Sequence, residues 1–96
     1  MRAEINDGQL VCPFCKDTYL HQGRVTVLNR VREDGPGFET IVKGPLSSTS
    51  FVEAKDMPGR RESLQIEFEC EMCRDKKLTL QILQHKGSTY LDWIES

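Results

Sequence analysis

Cys12-Pro13-Phe14-Cys15 and, after 54 intervening residues, Cys70-Glu71-Met72-Cys73 are the two stretches whose reading decides the fold. Two residues between paired cysteines let one tight turn aim both sulfurs at a common point. Two such turns facing each other complete a tetrahedron of thiolates, a set that Zn²⁺ accepts at about 2.3 Å per bond. Tetrahedral thiolate geometry also suits iron, and spacing does not separate the two metals. Backbone N–H groups within each turn stabilise the sulfur charge. The expectation is one structural Zn²⁺ held by Cys12, Cys15, Cys70 and Cys73. Because the pairs are distant in sequence, such a site would tie distant strands together.

The segments flanking the cysteines alternate with period two. Ser63 to Cys70 is the clearest strand: Leu64, Ile66 and Phe68 share one side and Gln65, Glu67 and Glu69 the other. Tyr19 to Arg32 reads as a half-buried strand, with Val25, Val27 and Val31 on one parity and Arg24, Thr26, Arg30 and Arg32 on the other. Leu28 breaks that pattern and marks a bulge or a second buried face. Glu33-Asp34-Gly35-Pro36-Gly37 reads as a turn, with Phe38 to Val42 as the returning strand. Leu78 to Leu83 and Thr89 to Ile94 form a further pair of strands around Lys86-Gly87-Ser88, a hairpin turn. Residues 1–9 read as a loose tail and residues 43–61 as a mobile loop insertion, with a short strand at Phe51-Val52. No segment has convincing helical periodicity. The predicted fold is all-β: one domain over residues 1–96, a small antiparallel ribbon with two CxxC knuckles and an inserted β-hairpin or loop.

Composition agrees. A chain of 96 residues holds one domain and a thin core, and Leu, Ile, Val and Phe supply a quarter of it. No run of about 18 apolar residues occurs, so no transmembrane helix is expected. Met1 to Gln9 lacks the apolar centre of a secretory signal. A reducing, cytoplasmic setting follows as the expectation, in which thiols stay reduced or bind metal. Four cysteines in 96 residues also fall below the density of a disulfide scaffold.

On these residues the chain resembles the zinc-ribbon family, with Cys12-Pro13-Phe14-Cys15 similar to its first knuckle and Cys70-Glu71-Met72-Cys73 to its second. The likeness covers the knuckles and their flanking strands, about half the chain. It implies a three-stranded antiparallel core, a structural Zn²⁺, and a role in binding nucleic acid or protein. Two departures stand out. Family knuckles often carry Gly after the second Cys, whereas Lys16 and Arg74 stand here. The long spacing between knuckles implies an insertion between Gly35 and Arg61. The chain also resembles small uncharacterised zinc-ribbon proteins of bacteria and phages, through Leu20-His21-Gln22-Gly23-Arg24-Val25 and Gln84-His85-Lys86-Gly87-Ser88-Thr89.

Other readings of the same residues explain less. A glutaredoxin-type redox pair at Cys12 and Cys15 needs a helix N-terminus, and the residues that follow favour strand. His21 and His85 are not needed as ligands once four thiolates fill a tetrahedron. A filled site also lacks the open position that catalytic zinc keeps for water, and no nucleophile motif or phosphate loop is present. A non-enzymatic binding module is therefore expected. Its partner is read as another protein, including a further copy of itself, with Phe14 and Met72 offering an outward apolar surface on the knuckles. The alternative is nucleic acid, met by Arg24, Arg30, Arg32, Lys76 and Lys77 with Phe14 or Trp93 stacking on bases. Charge weighs against that alternative: the chain carries −2, and four thiolates with one dication add a further −2.

Overall fold

In the computed structural model, residues 1–73 and 76–94 are described. Arg74, whose side chain stands where family knuckles carry Gly, and Asp75 lie outside the described residues. Among the described residues the regular structure is β, apart from one 3₁₀ turn at Ala54–Asp56. No helix among the described residues is long and apolar enough to cross a membrane.

Two short strands, β1 (Ile5–Asn6) and β2 (Gln9–Leu10), form a hairpin. Its two-residue loop has Asp7 at φ 50° and Gly8 at φ 78°, the doubly positive pair that suits the right-handed twist of flanking strands. Six longer strands follow: β3 (Leu20–Arg30), β4 (Gly37–Lys43), β5 (Leu46–Val52), β6 (Ser63–Cys70), β7 (Leu78–His85) and β8 (Ser88–Ile94). They make one antiparallel sheet in the order β5-β4-β3-β6-β7-β8. The β7–β8 hairpin turns on Lys86 and Gly87, both at positive φ, as the sequence predicts. The β4–β5 hairpin turns on Gly44-Pro45, where Gly44 supplies the positive φ.

Directly opposed residues of antiparallel strands share a face, so the register sorts the whole sheet. On the first face stand Val25 and Val27 of β3, Phe38 and Val42 of β4, and Phe51 of β5. Leu64, Ile66 and Phe68 of β6 lie there with Leu78, Leu80 and Ile82 of β7 and Leu91 and Trp93 of β8. On the second face lie Thr26, Leu28 and Arg30, with Ser63, Gln65, Gln81 and Leu83.

Each face is covered by a different segment. Over the first, Leu78, Leu80 and Trp93 pack with Cys12 and Cys70, flanked by Ala3, Leu10, Leu20 and Phe68. Phe68 and Trp93 meet edge to face at 5.9 Å between ring centroids. Over the second, the segment after β5 folds back and is held by Arg30. That guanidinium donates to the main-chain carbonyls of Gly35 and Gly59, and to that of Met57 at 3.2 Å. Gly59, at φ 65°, comes so close to Leu83 that a Cβ would fall 2.6 Å from its Cδ1.

Four expectations change. Residues 1–9 are not a loose tail. Met1 and Ala3 hydrogen-bond along β8 (Trp93 N–H to the Met1 carbonyl 2.7 Å, Ala3 N–H to the Leu91 carbonyl 2.8 Å), and Arg2 bridges to Asp92 at 3.0 Å. Residues 43–61 are not loop throughout: β5 pairs with β4 along its full length, because ladder hydrogen bonds need no apolar side chain and its Ser/Thr run is exposed. The sides of β3 are exchanged, with Thr26, Leu28 and Arg30 buried while Val25 and Val27 stay half-buried. The bulge lies between Gln22 and Val25, so Leu28 marks the second buried face. Arg30, a candidate partner residue, is 9% exposed and committed to internal carbonyls.

The turn after β3 is tied to the segment before β6. Asp34, at φ 60°, accepts from Arg60 Nε and Nη2 at 3.1 and 2.8 Å. Hydrogen bonding to that guanidinium, with its charge, holds the Asp34 carboxyl below its usual range. The tie therefore stabilises the fold above the ordinary carboxylate pKa and is lost as pH falls through the depressed value. Being exposed, it contributes little.

Arg30→Ala leaves buried carbonyls without their donor and is expected to cost about 2–4 kcal/mol in urea unfolding. Arg24→Ala, at an exposed strand position paired with Glu67, is expected to cost no more than about 1 kcal/mol. Gly37→Ala would place a Cβ 2.0 Å from the Asn29 carbonyl oxygen. It should lower stability by about 1–3 kcal/mol, and equal urea midpoints for Gly37→Ala and the unsubstituted protein would contradict this packing.

Candidate metal centre

The first knuckle hangs between β2 and β3. Its turn closes on two main-chain bonds, Lys16 N–H to the Cys12 carbonyl at 3.0 Å and Cys12 N–H to the Asp17 carbonyl at 2.8 Å. Lys16 takes the left-handed conformation at φ 66° that a glycine would adopt more readily. The second knuckle leaves the end of β6, with Cys73 N–H bonded to the Cys70 carbonyl at 3.2 Å. The sheet sets the two against each other: Leu20, just past the first knuckle, pairs with Cys70. Glu71 N–H reaches the Tyr19 carbonyl at 3.1 Å.

The four Sγ atoms consequently lie within 4.8 Å of one another, and Cys15 and Cys70 are 3.5 Å apart. A tetrahedron with bonds of about 2.3 Å has sulfurs about 3.8 Å apart, so the set fits one tetrahedral ion. All four cysteines are free thiols. Cys12 and Cys70 are wholly buried, Cys73 is half-buried and Cys15 is exposed. The set is thus anchored in the core along one side and open to solvent along the other.

Electrostatics give the cluster its appetite for a cation. Burial alone would raise the Cys12 thiol, but N–H groups of Cys15 and Phe14 aimed at its sulfur outweigh that and leave it lowered. For Cys70 burial prevails over the N–H groups of Met72 and Cys73, and the thiol is raised. Cys73 is pushed up to about 12, first by its interaction with the Cys15 sulfur and then by burial and the Cys15 charge. Close sulfurs therefore suppress one another's ionisation until a cation offsets the repulsion.

The other candidate residues are dispersed. Phe14 and Met72, the middle residues of the knuckles, are 53% and 66% exposed, and Lys76 Nζ sits 5.3 Å from the centroid of the Phe14 ring. Arg24, Lys76 and Lys77 line one open groove of about 500 Å³, interleaved there with Glu67 and Glu69. Arg24 is paired with Glu67 at 2.6 Å. Arg32 is exposed beyond the far end of β3. Trp93, proposed to stack on bases, is buried under the knuckles instead, because its parity on β8 places it on the covered face. His21 and His85 stand outside the thiol cluster, His21 within 2.7 Å of Glu71 and both exposed.

Sequence reasoning missed the contribution of residues 1–9. Asp7-Gly8, a hairpin signal flanked by Ile5 and Leu10, was the readable sign. Comparison with family models, curated proteins and solved structures finds no match to this chain.

Because metal must displace protons from thiols, affinity should fall as pH falls, about tenfold per pH unit for each proton displaced. Competition with a chromophoric chelator between pH 6 and pH 8 checks this, and a pH-independent affinity would contradict it.

Proposed function

We propose that Cys12, Cys15, Cys70 and Cys73 hold one structural Zn²⁺ in a zinc-ribbon-like site, and that the protein is a non-catalytic module binding another protein. The observation that carries the reading is the closed set of four sulfurs within 4.8 Å, two of them sealed in the core. Four thiolates complete the tetrahedron and leave no position for a reacting water, whereas catalytic zinc sites keep one open. Zn²⁺ is favoured over redox-active metals because the role is to join strands, which needs no change of oxidation state. When bound, the ion supplies the positive charge that lets the four thiolates coexist. The chain's own residues do the rest: the knuckle N–H groups orient the sulfurs, and Leu78, Leu80 and Trp93 keep water from the buried pair.

A protein partner is favoured over nucleic acid by the fate of the basic residues. Arg30 is spent on internal carbonyls, Arg24 on Glu67, and the groove that gathers Lys76 and Lys77 also holds two carboxylates. The net charge of −2 opposes phosphate further. Phe14 and Met72 on the knuckles are exposed apolar residues of the kind that interfaces use.

Structural zinc contributes roughly 10–16 kcal/mol in metallo-peptides, as much as the whole stability of a small domain. Chelation should therefore abolish the cooperative thermal transition, and Cys12→Ser or Cys70→Ser should do the same without chelator. One zinc per chain by elemental analysis is expected. A chelated, metal-free protein with unchanged circular dichroism and Tm would overturn the structural role.

A further inference from the structure

The first face of the sheet is only partly covered. Knuckles and N-terminal residues lie over Leu78, Leu80 and Trp93, and there the cover ends. Beyond it Val25, Val27, Leu64 and Ile82 are half-buried at best, and Phe38 and Phe51 are 46% and 60% exposed, edge to face at 6.0 Å. An apolar sheet face in a stable domain is normally buried against a second layer. This chain holds 13 Lys and Arg with 15 Asp and Glu, yet none stands at a position that the register places on this face, from Ser47, Thr49 and Phe51 on β5 to Thr89, Leu91 and Trp93 on β8. Its polar contacts there are uncharged, such as the Thr40–Thr49 hydroxyl pair at 3.0 Å.

We propose that a second copy of this chain packs on the uncharged face, forming a two-fold dimer of face-to-face sheets. The proposal names the partner in the binding-module reading above and rests on it. Three features select this occupant. The face is six strands wide, about 24 Å across its inter-strand spacings, and a single helix about 10 Å in diameter would leave more than half of it wet. A sheet of equal width covers it, and a two-fold axis supplies one from the same surface. Next, the charged residues that the register places on the strands lie on the other face, and Glu62, just before β6, borders this face beside Leu64 and Ile82, so two negatively charged copies can meet with few like charges opposed. Finally, about 17 Å of open strand length by about 29 Å of width, counting the outer strands, is roughly 500 Å² per copy. About 1,000 Å² in total is the lower bound for a specific interface. The dimer is therefore a weak one whose population depends on concentration. β5, an outer strand with no charge, proline or bulge to guard it, borders the same region and fits a sheet end enclosed by assembly.

Sedimentation of the metal-loaded protein from about 5 µM to about 500 µM tests this, bracketing the affinity expected of so small an interface. The expected result is a rise from monomer to dimer mass. Phe38→Lys with Phe51→Lys, both at exposed positions, should abolish it while circular dichroism and metal content stay as they were. Val42→Lys, also exposed on this face, is the second variant and should weaken dimerisation at least about tenfold. A folded, metal-loaded protein that remains monomeric throughout overturns the dimer and leaves the metal-module reading standing. A dimer that survives all three substitutions overturns the assignment to this face. A folded but metal-free protein that dimerises, and that the substitutions dissociate, supports the dimer and overturns the metal-module reading.

Discussion

Four sulfurs within 4.8 Å of one another cannot all be thiolates without a cation among them, and the arrangement of the chain around them follows from that constraint. The knuckles must face each other, so the chain on either side must arrive from opposed directions. The antiparallel pairing of β3 with β6, starting at Leu20 and Cys70, does this directly. The two wholly buried cysteines then double as core residues, packed with Leu78, Leu80 and Trp93. In a chain with so little apolar material, a thiol cluster and a hydrophobic cluster occupying the same place is an economical arrangement. Loss of one removes the cover of the other.

The second organising element is Arg30. A buried guanidinium is costly unless its donors are met, and here both terminal nitrogens, Nη1 and Nη2, are met by main-chain carbonyls of two separate segments while Nε is left without a partner. That helps a stretch with little regular structure lie over the second face, where Met57 is buried and Gly59 closely approaches Leu83. The sheet is thus a single layer with a cysteine-knuckle cover at one end of one face and an arginine-held cover on the other. The molecule measures 39 × 32 × 20 Å, the short axis being that of one sheet and its covers.

Much of this was legible in the sequence. The thiol pattern, the strands around Ser63–Cys70 and Leu78–Leu83, the Lys86-Gly87 turn and the all-β antiparallel class follow from spacing, alternation and turn chemistry. What was hidden had physical causes. β5 is made by ladder hydrogen bonds rather than by burial, so its Ser-Ser-Thr-Ser run carries no apolar period. In β3 both faces carry apolar side chains, and period-two alternation states which residues share a side without stating which side is covered. Arg30 reads as solvent-facing because two of the carbonyls that receive it, those of Met57 and Gly59, come from a segment far along the chain. Trp93 and Tyr90 differ in parity, as the alternation implies, but only the position of the knuckles decides that Trp93 is inside.

The closed, all-sulfur character of the candidate metal centre is what the rest of the fold depends on. X-ray absorption at the metal edge, recorded on protein isolated without added metal, tests it most directly. The prediction is a zinc edge with four sulfur scatterers at about 2.3 Å and no nitrogen or oxygen in the coordination sphere. A mixed shell containing a water or histidine ligand, or an absorption edge belonging to another metal, would contradict it.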